Sequence, residues 1–312
     1  MAVARVLLPA GLDELQAECD VRVGGLDATS DELLELVRGA DAIVPDPSVP
    51  VDAELLEAAG PGLKAVGNFA VGTDNVDLEL CRERGVIVTN TPDVLTNATA
   101  ELTLALTLAA ARRLWEAGED LRAGRWEGWD PRAYLGLELS GATVAVIGAG
   151  RIGRRYAELV RPLAKELIYV GPSAKPEAEA LGMRRAELED ALAEASVVSV
   201  HAPASAATRH LIGAAELKMM QPDSVLVNTS RGSLVDTGAL VAALHDCSIG
   251  AAGLDVYERE PEVPRELLDA PRCVLLPHIG SATTTARNGM ARTVASNVLA
   301  VLGGREPPNR VV

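Results

Sequence analysis

No stretch of this 312-residue sequence is both long and apolar enough to cross a bilayer. The most apolar extended segment, residues 102–111, is bounded by Glu101 and by Arg112 and Arg113. It falls well short of the roughly 20 residues that a spanning helix needs. Cysteine is scarce: Cys19, Cys81, Cys247 and Cys273 stand far apart, so they compose neither a zinc-ligand spacing nor a CxxC redox pair. No metal site is expected. Unpaired thiols suit a reducing compartment, and a cytoplasmic location is expected. Positive charge is also in deficit, with 29 Lys and Arg against 44 Asp and Glu and a formal net charge of −15. Such a surface repels phosphate backbones and anionic lipid heads, which argues against nucleic acid and membrane partners. Arg5 interrupts the short apolar start and Pro9 with Gly11 ends it, so no signal peptide is expected. Solenoid repeats and low-complexity tracts are missing as well.

What is present is the composition of a folded chain, 48% hydrophobic and 23% charged, long enough for two ordinary domains. Short β-branched runs alternate with Ala-, Leu- and Glu-rich stretches, the signature of α/β architecture with parallel strands. The early runs are residues 5–9, 21–25, 42–45, 63–68 and 86–90, and residues 3–8 as a whole read as a buried strand. Helical stretches at 31–38 and 52–59 lie between them, the first with Ser30 as its N-cap. Residues 98–114 read as one long helix, followed by a loose segment, Trp126-Glu127-Gly128-Trp129-Asp130-Pro131. A second series of runs occupies 143–148, 167–170, 197–201, 224–228, 250–256 and 273–277. Each is nearly all apolar, as strands buried on both faces must be. The expectation is two Rossmann-like or flavodoxin-like lobes with parallel sheets. A final helix at 284–302 follows, and its pattern leaves open which lobe it joins.

The run at 143–147 leads into Gly148-Ala149-Gly150-Arg151-Ile152-Gly153 and then a helical stretch. A bare G-x-G-x-x-G is weak, but a strand before it and a helix after it make a dinucleotide loop. The glycines allow a tight turn and close approach of a pyrophosphate, and the helix start offers unpaired N–H groups. NAD-binding folds usually carry an acid about 20 residues on, to hold the ribose 2′-hydroxyl. Here the run at 167–170 ends in Gly171-Pro172-Ser173-Ala174-Lys175, with no acid. Nothing there would repel a 2′-phosphate, and Ser173 and Lys175 can donate to one. NADPH is therefore favoured over NADH. His201-Ala202-Pro203 is placed near the cofactor, with His201, His210 and His245 read as structural.

Three segments each set a reactive group just after a strand: Asn228-Thr229-Ser230-Arg231-Gly232, Asp255-Val256-Tyr257-Glu258-Arg259-Glu260-Pro261 and Leu276-Pro277-His278-Ile279-Gly280-Ser281. Ligands of open α/β sheets bind beyond the carboxyl ends of the strands, so these groups are expected to converge. Reduction of a 2-keto acid needs a cation to hold the carboxylate, and Arg does this with a planar fork. It needs an acid to protonate the carbonyl oxygen, a role suited to His. A carboxylate beside that His orients the ring and stabilises the imidazolium. Arg231, His278 and Glu260 fit these roles. The competing reading makes Arg231 a surface charge, Glu258 and Glu260 solvated loop residues, and His278 a core histidine between Leu276 and Ile279.

With these segments in view, the chain resembles the D-2-hydroxyacid dehydrogenases over nearly its whole length. Val71-Gly72-Thr73-Asp74-Asn75-Val76-Asp77, Thr89-Asn90-Thr91-Pro92, Ala100-Glu101-Leu102 and Gly253-Leu254-Asp255-Val256 add to the motifs above. The resemblance implies a substrate-binding domain, residues 1–97 with 284–312, into which a dinucleotide-binding Rossmann domain, residues 98–283, is inserted. It implies that the backbone around Ala70, Val71 and Gly72 holds the substrate carboxylate together with Arg231, and that Ser281 also lines the substrate site. It implies that Asp255 contacts the nicotinamide carboxamide, with Thr96 and Thr229 also on the cofactor, and that the protein is a homodimer.

Within the family the chain looks most like the glyoxylate/hydroxypyruvate reductases, through Pro92-Asp93-Val94-Leu95-Thr96, the Trp126–Pro131 segment and His278-Ile279-Gly280-Ser281-Ala282-Thr283. In that subgroup the position of Trp129 reaches the partner subunit's site; the alternative is simple packing at the dimer interface. Tyr169-Val170-Gly171 resembles NADPH-using members, although their Arg near Pro172 is missing here and Lys175 must serve alone. Asn97 stands where Asp is commoner. Phosphite dehydrogenases carry Lys where this chain has Val71, and phosphoglycerate dehydrogenases often add a C-terminal regulatory domain. Related transcriptional corepressors keep the same three catalytic residues, which leaves a nicotinamide-sensing, non-catalytic role as the reading from another class.

Overall fold

The computed structural model describes residues 1–312, which divide into two compact units: residues 1–95 with 281–312, and residues 96–280. In chain order the first unit begins β1 (Ala2–Val3), α1 (Pro9–Glu18), β2 (Arg22–Val23), α2 (Ser30–Val37), β3 (Ala42–Val44), α3 (Ala53–Ala59), β4 (Ala65–Gly67), α4 (Leu78–Glu83) and β5 (Ile87–Thr89). The second unit holds α5 (Thr96–Ala111), α6 (Leu114–Arg122), β6 (Thr143–Ile147), α7 (Arg151–Val160), β7 (Glu166–Val170), α8 (Pro176–Glu179), β8 (Met183–Arg185) and α9 (Leu188–Glu194). It continues with β9 (Val197–Val200), α10 (Ala214–Met219), β10 (Val225–Asn228), α11 (Thr237–His245), β11 (Ala251–Leu254), α12 (Arg265–Leu268) and β12 (Cys273–Leu275). A last helix, α13 (Thr284–Leu302), belongs to the first unit.

The first unit is a five-stranded parallel sheet of order β2-β1-β3-β4-β5, the flavodoxin-like arrangement. Every residue of β3 and β4 is buried, because helices cover both faces. The expected strand at 5–9 is not formed. Arg5 turns its guanidinium to the Leu26 carbonyl and to Asp46, and Pro9 opens α1, where its fixed φ and missing N–H cost nothing. The cap of α2 is Thr29, not Ser30. Thr29 Oγ1 accepts from the Glu32 amide at 3.3 Å, and Glu32 Oε2 accepts from the Thr29 amide at 2.8 Å, a reciprocal box that Ser30 could not form with Glu32.

Helix α13 settles the question its pattern left open. A Cβ on Gly11 would lie 2.2 Å from the Ala291 carbonyl oxygen, so α1 and α13 touch backbone to backbone. A Cβ on Gly67 of β4 would lie 2.5 Å from Val298. Buried Asn297 donates to the Asn90 carbonyl at 3.0 Å and accepts from the Asn309 amide at 3.2 Å, fastening the C-terminal segment beside β5.

The second unit is a seven-stranded parallel sheet of order β12-β11-β10-β9-β6-β7-β8. The strand order reverses between β6 and β9, which is where such sheets bind ligands. The helix expected over 98–114 stops at Ala111. Arg113 adopts a left-handed φ of 52° and its Nε meets Glu116 Oε2 at 2.7 Å, which starts α6 in a new direction. Strand β8 carries no apolar run, only Met183 facing the core and two exposed arginines, and the sequence reading passed over it. The strands before His201 and Asp255 end earlier than expected, at Val200 and Leu254, so both residues stand just past a strand end.

Substitution Gly11→Ala should destabilise the first unit by about 1–3 kcal/mol, the usual cost of overpacking a closed contact. Thermal unfolding of the variant is the check; an unchanged midpoint would show that α1 and α13 can separate without penalty.

Candidate active site

The glycine loop follows β6. Gly148 has φ +98°, and a Cβ there would lie 2.7 Å from the Ala202 amide nitrogen, so only glycine fits. A Cβ on Gly153 would lie 2.3 Å from the Gly148 carbonyl oxygen, which fixes how closely α7 approaches the turn. Gly150 faces open space and, as N-cap of α7, offers no side-chain acceptor to the first turn. A turn closed to side chains at Gly148 and bare at Gly150, opening an uncapped ten-residue helix, fits a dinucleotide pyrophosphate. Arg151 and Ile152 open that helix, and Arg154 Nη1 reaches back to the Ala149 carbonyl at 3.1 Å.

His201 follows β9 against this loop. It keeps a little surface, but its ring is enclosed and Nε2 lies 2.8 Å from Ser199 Oγ. The ring lies 5.5 Å from that of Tyr156. Desolvation pushes its pKa down to about 3, so the imidazole is neutral at neutral pH. Pro203 is exposed in the same loop. Thr96 opens α5. Thr229 Oγ1 lies 2.8 Å from Thr103 Oγ1, which in turn donates to the Thr99 carbonyl, so its hydroxyl is tied to α5. Asn97, next to Thr96, accepts from Arg155 Nε at 2.9 Å and so joins α5 to α7.

After β7 the chain turns through exposed Ser173 to Lys175, whose amide donates to the hydroxyl of buried Tyr169 at 3.0 Å. Tyr169 donates in turn to Glu179 at 2.9 Å. A further cation stands at this edge. Arg185 pairs with Tyr169 across the β7–β8 ladder, and its Nη2 donates to the Gly171 carbonyl at 3.1 Å. The sequence reading missed it because it missed β8.

His278 follows β12 with φ +53°, and its Nδ1 lies 2.6 Å from Glu260 Oε2. Glu260 Oε1 accepts from the Tyr257 amide at 2.9 Å. Burial raises the Glu260 pKa, but the hydrogen bond and charge of His278, the Tyr257 amide and the positive charge of Arg231 outweigh it, and the carboxyl lies below its ordinary range. Glu260 is therefore an anion facing an imidazole, within the field of the Arg231 guanidinium. Arg231 is placed by Asn228, whose amide donates to the Arg231 carbonyl at 2.8 Å while its oxygen accepts from the Ser230 amide at 3.0 Å. Asn228 stood in the motif, but its positioning role could not be read from spacing.

Asp255 is fully buried and its two oxygens accept from the amides of Ile279 and Gly280, each at 2.7 Å. Desolvation raises its pKa against those two bonds and the charge of His278. The carboxylate clamps the peptides immediately after His278. The Tyr257 hydroxyl holds the chain before it, donating to the Leu276 carbonyl at 2.9 Å.

In the first unit, the carbonyls of Ala70, Val71 and Gly72 are all engaged, by the Thr91 amide at 2.9 Å, Asn90 Nδ2 at 2.8 Å and Asn68 Nδ2 at 2.7 Å. Their three amides donate to no protein acceptor. Peptide planes pinned in this way leave their N–H groups able to donate to an anion. Ser281 lies in the turn before α13, its carbonyl accepting from Thr283. Trp129 is 84% exposed.

The chain is similar in sequence and fold to known proteins. Residues 104–280 match the NAD binding domain of the D-isomer specific 2-hydroxyacid dehydrogenases. A glyoxylate reductase of Thermococcus litoralis is 48% identical over 284 residues, 89% of this chain and 86% of that protein. A glyoxylate reductase of Aeropyrum pernix is 45% identical over 317 residues, covering 99% of this chain and 94% of its own length. Among solved structures, an NADPH-dependent glyoxylate/hydroxypyruvate reductase of Sinorhizobium meliloti, in complex with NADP and malonate, superposes with a TM-score of 0.87 at 34% identity, covering 100% of this chain and 96% of that one. A Thermus thermophilus protein superposes with a TM-score of 0.93 at 44% identity, covering 100% and 99%. The chain belongs to the D-isomer-specific 2-hydroxyacid dehydrogenase family, and its cofactor is a nicotinamide dinucleotide.

Because the neutral imidazole of His201 must gain a proton on unfolding, folding stability falls as pH drops below about 6.5 and continues to fall toward the folded value near 3. His201→Gln keeps a partner for Ser199 without titrating. It should lose less stability than wild type between pH 7 and 5, by at most about 2 kcal/mol. Urea unfolding at the two pH values decides; parallel losses in both proteins would refute the buried neutral state.

Proposed function

We propose that this protein reduces a small 2-keto acid, glyoxylate to glycolate or hydroxypyruvate to D-glycerate, with NADPH preferred to NADH. The observation that carries the reading is the 2.6 Å contact of His278 with Glu260 in the field of Arg231, in loops that follow neighbouring strands. A bound nicotinamide supplies the hydride that arrives at the carbonyl carbon. His278 gives its proton to the carbonyl oxygen, from Nε2, since Nδ1 is turned to Glu260. Glu260 fixes the ring through its bond to Nδ1. Arg231 holds the substrate carboxylate and polarises the adjacent carbonyl. The amides of Ala70, Val71 and Gly72 and the side chain of Ser281 are assigned to the substrate.

The cofactor would lie on Gly148, Gly150, Arg151, Ile152 and Gly153, with Thr96, His201, Pro203, Thr229 and Asp255 around it. Asp255 would meet the carboxamide only while also clamping the His278 loop. The preference for NADPH rests on the absence of an acid after β7 and on Ser173, Lys175 and the guanidinium of Arg185 at that edge. The homodimer rests on a run of exposed apolar side chains in and after α6: Leu114, Trp115, Leu121, Trp126, Trp129 and Leu135, between 54% and 84% exposed. Trp129 is assigned to that interface and to the partner's substrate.

His278→Ala should lower kcat by on the order of 10²–10⁴-fold with cofactor affinity little changed. Glu260→Gln should lower kcat by on the order of tenfold or more, because the anion that orients the His278 ring is gone. Steady-state rates on glyoxylate and hydroxypyruvate across pH test both, and near-normal activity in His278→Ala would refute the assignment. Replacing Lys175 and Arg185 together by Ala should weaken NADP⁺ binding at least tenfold while sparing NAD⁺. Equal weakening of both in calorimetry would remove these residues from 2′-phosphate recognition.

A further inference from the structure

The loops after β9, β10 and β11 meet at one carboxylate. Glu258 Oε2 accepts from His210 Nε2 at 2.9 Å and lies 3.5 Å from Arg209 Nη2. Its Oε1 accepts from the Thr237 amide at 3.0 Å. His210 and Arg209 come from the loop after β9, and Thr237 starts α11 behind the Arg231 turn. His210 is itself held, at a left-handed φ of 51°, by donation from its amide to the Ser233 carbonyl at 2.8 Å. Its Nδ1 lies 3.6 Å from Asp236. The 231–237 segment is further zipped to this loop by an Ile212–Val235 bridge.

The contact between the second and third loops is backbone on backbone. A Cβ on Gly232 would lie 1.9 Å from the Tyr257 carbonyl carbon and 2.4 Å from the Glu258 amide nitrogen. Arg231 and Glu260 thus flank a junction where no side chain fits, and one residue from Gly232's seat the Glu258 carboxylate bolts the third loop to the other two. Tyr257, on the other side of that bolt, supplies the amide that orients Glu260. Desolvation raises the Glu258 pKa, but the His210 and Thr237 hydrogen bonds overcome it and keep the carboxyl low, so the bolt is ionised at neutral pH.

We propose that Glu258, through His210 and Thr237, is a positioning residue that sets Glu260 against His278 and Arg231 beside Glu260. This rests on the catalytic roles assigned above and adds the group that aligns them. Glu258 touches neither substrate nor cofactor in this account, so its removal should act on kcat and leave the glycine loop intact.

The test is a set of variants of the full-length protein. Glu258→Ala should lower kcat at least tenfold, with NADP⁺ affinity by calorimetry within about twofold of wild type. Glu258→Gln keeps an acceptor for Thr237 and should restore most of the loss, and His210→Ala should fall between the two. In a His278→Ala background, Glu258→Ala should cost little more, because both act on the same proton transfer. Wild-type kcat in folded Glu258→Ala would overturn the proposal, as would full additivity with His278→Ala. If Glu258→Ala does not fold, Glu258→Gln and His210→Ala carry the same comparison. Undiminished turnover in His278→Ala alone would strike the catalytic reading rather than the bolt.

Discussion

The hydrogen bond between His278 and Glu260 joins two loops that leave the sheet from adjacent strands, and much of the surrounding structure holds its two ends. On the histidine side, the buried Asp255 carboxylate takes the two amides that follow the ring, and the Tyr257 hydroxyl takes the carbonyl two residues before it. On the glutamate side, the Tyr257 amide fixes one carboxylate oxygen while His278 uses the other. Both residues are partly exposed, where an isolated ion pair would contribute little. Their value lies in orientation: each is restrained by groups that are themselves buried or bonded, so the imidazole presents one defined nitrogen outward.

That arrangement follows from the sheet. Parallel strands buried on both faces must be short and apolar, and they deliver every following loop to the same edge. The fold therefore separates stability from chemistry. Val197–Val200, Val225–Asn228 and Ala251–Leu254 are wholly buried, whereas the residues just beyond them carry the polar groups of the proposed site. Asn228 and Asp255 sit on the boundary. Each is buried, each spends its side chain on backbone of a functional loop, and neither could be made apolar without leaving donors unpaired.

Much of this was legible in the sequence. The strand runs, the G-x-G-x-x-G context and the three reactive segments depend on local pattern, and local pattern survives folding. What escaped depended on contacts distant in sequence. Strand β8 has no apolar signature because it is an edge strand, so Arg185 and its reach to Gly171 were invisible. Helix α13 gave its length exactly as drawn, yet only the approach of Gly11 to Ala291 assigns it to the first unit. Glu258 looked like a solvated loop residue, since its partners lie 48 and 21 positions away. The Thr29 cap was misplaced by one residue because two acidic side chains follow, and only the structure tells which one reaches back.

The most direct measurement is the nitrogen resonance of the His278 ring, identified by its loss on mutation, in long-range proton–nitrogen correlation spectra. In the neutral ring the account requires the proton on Nδ1, held by Glu260, with Nε2 bare to receive the next proton. A neutral ring protonated on Nε2, with Nδ1 bare, would contradict it.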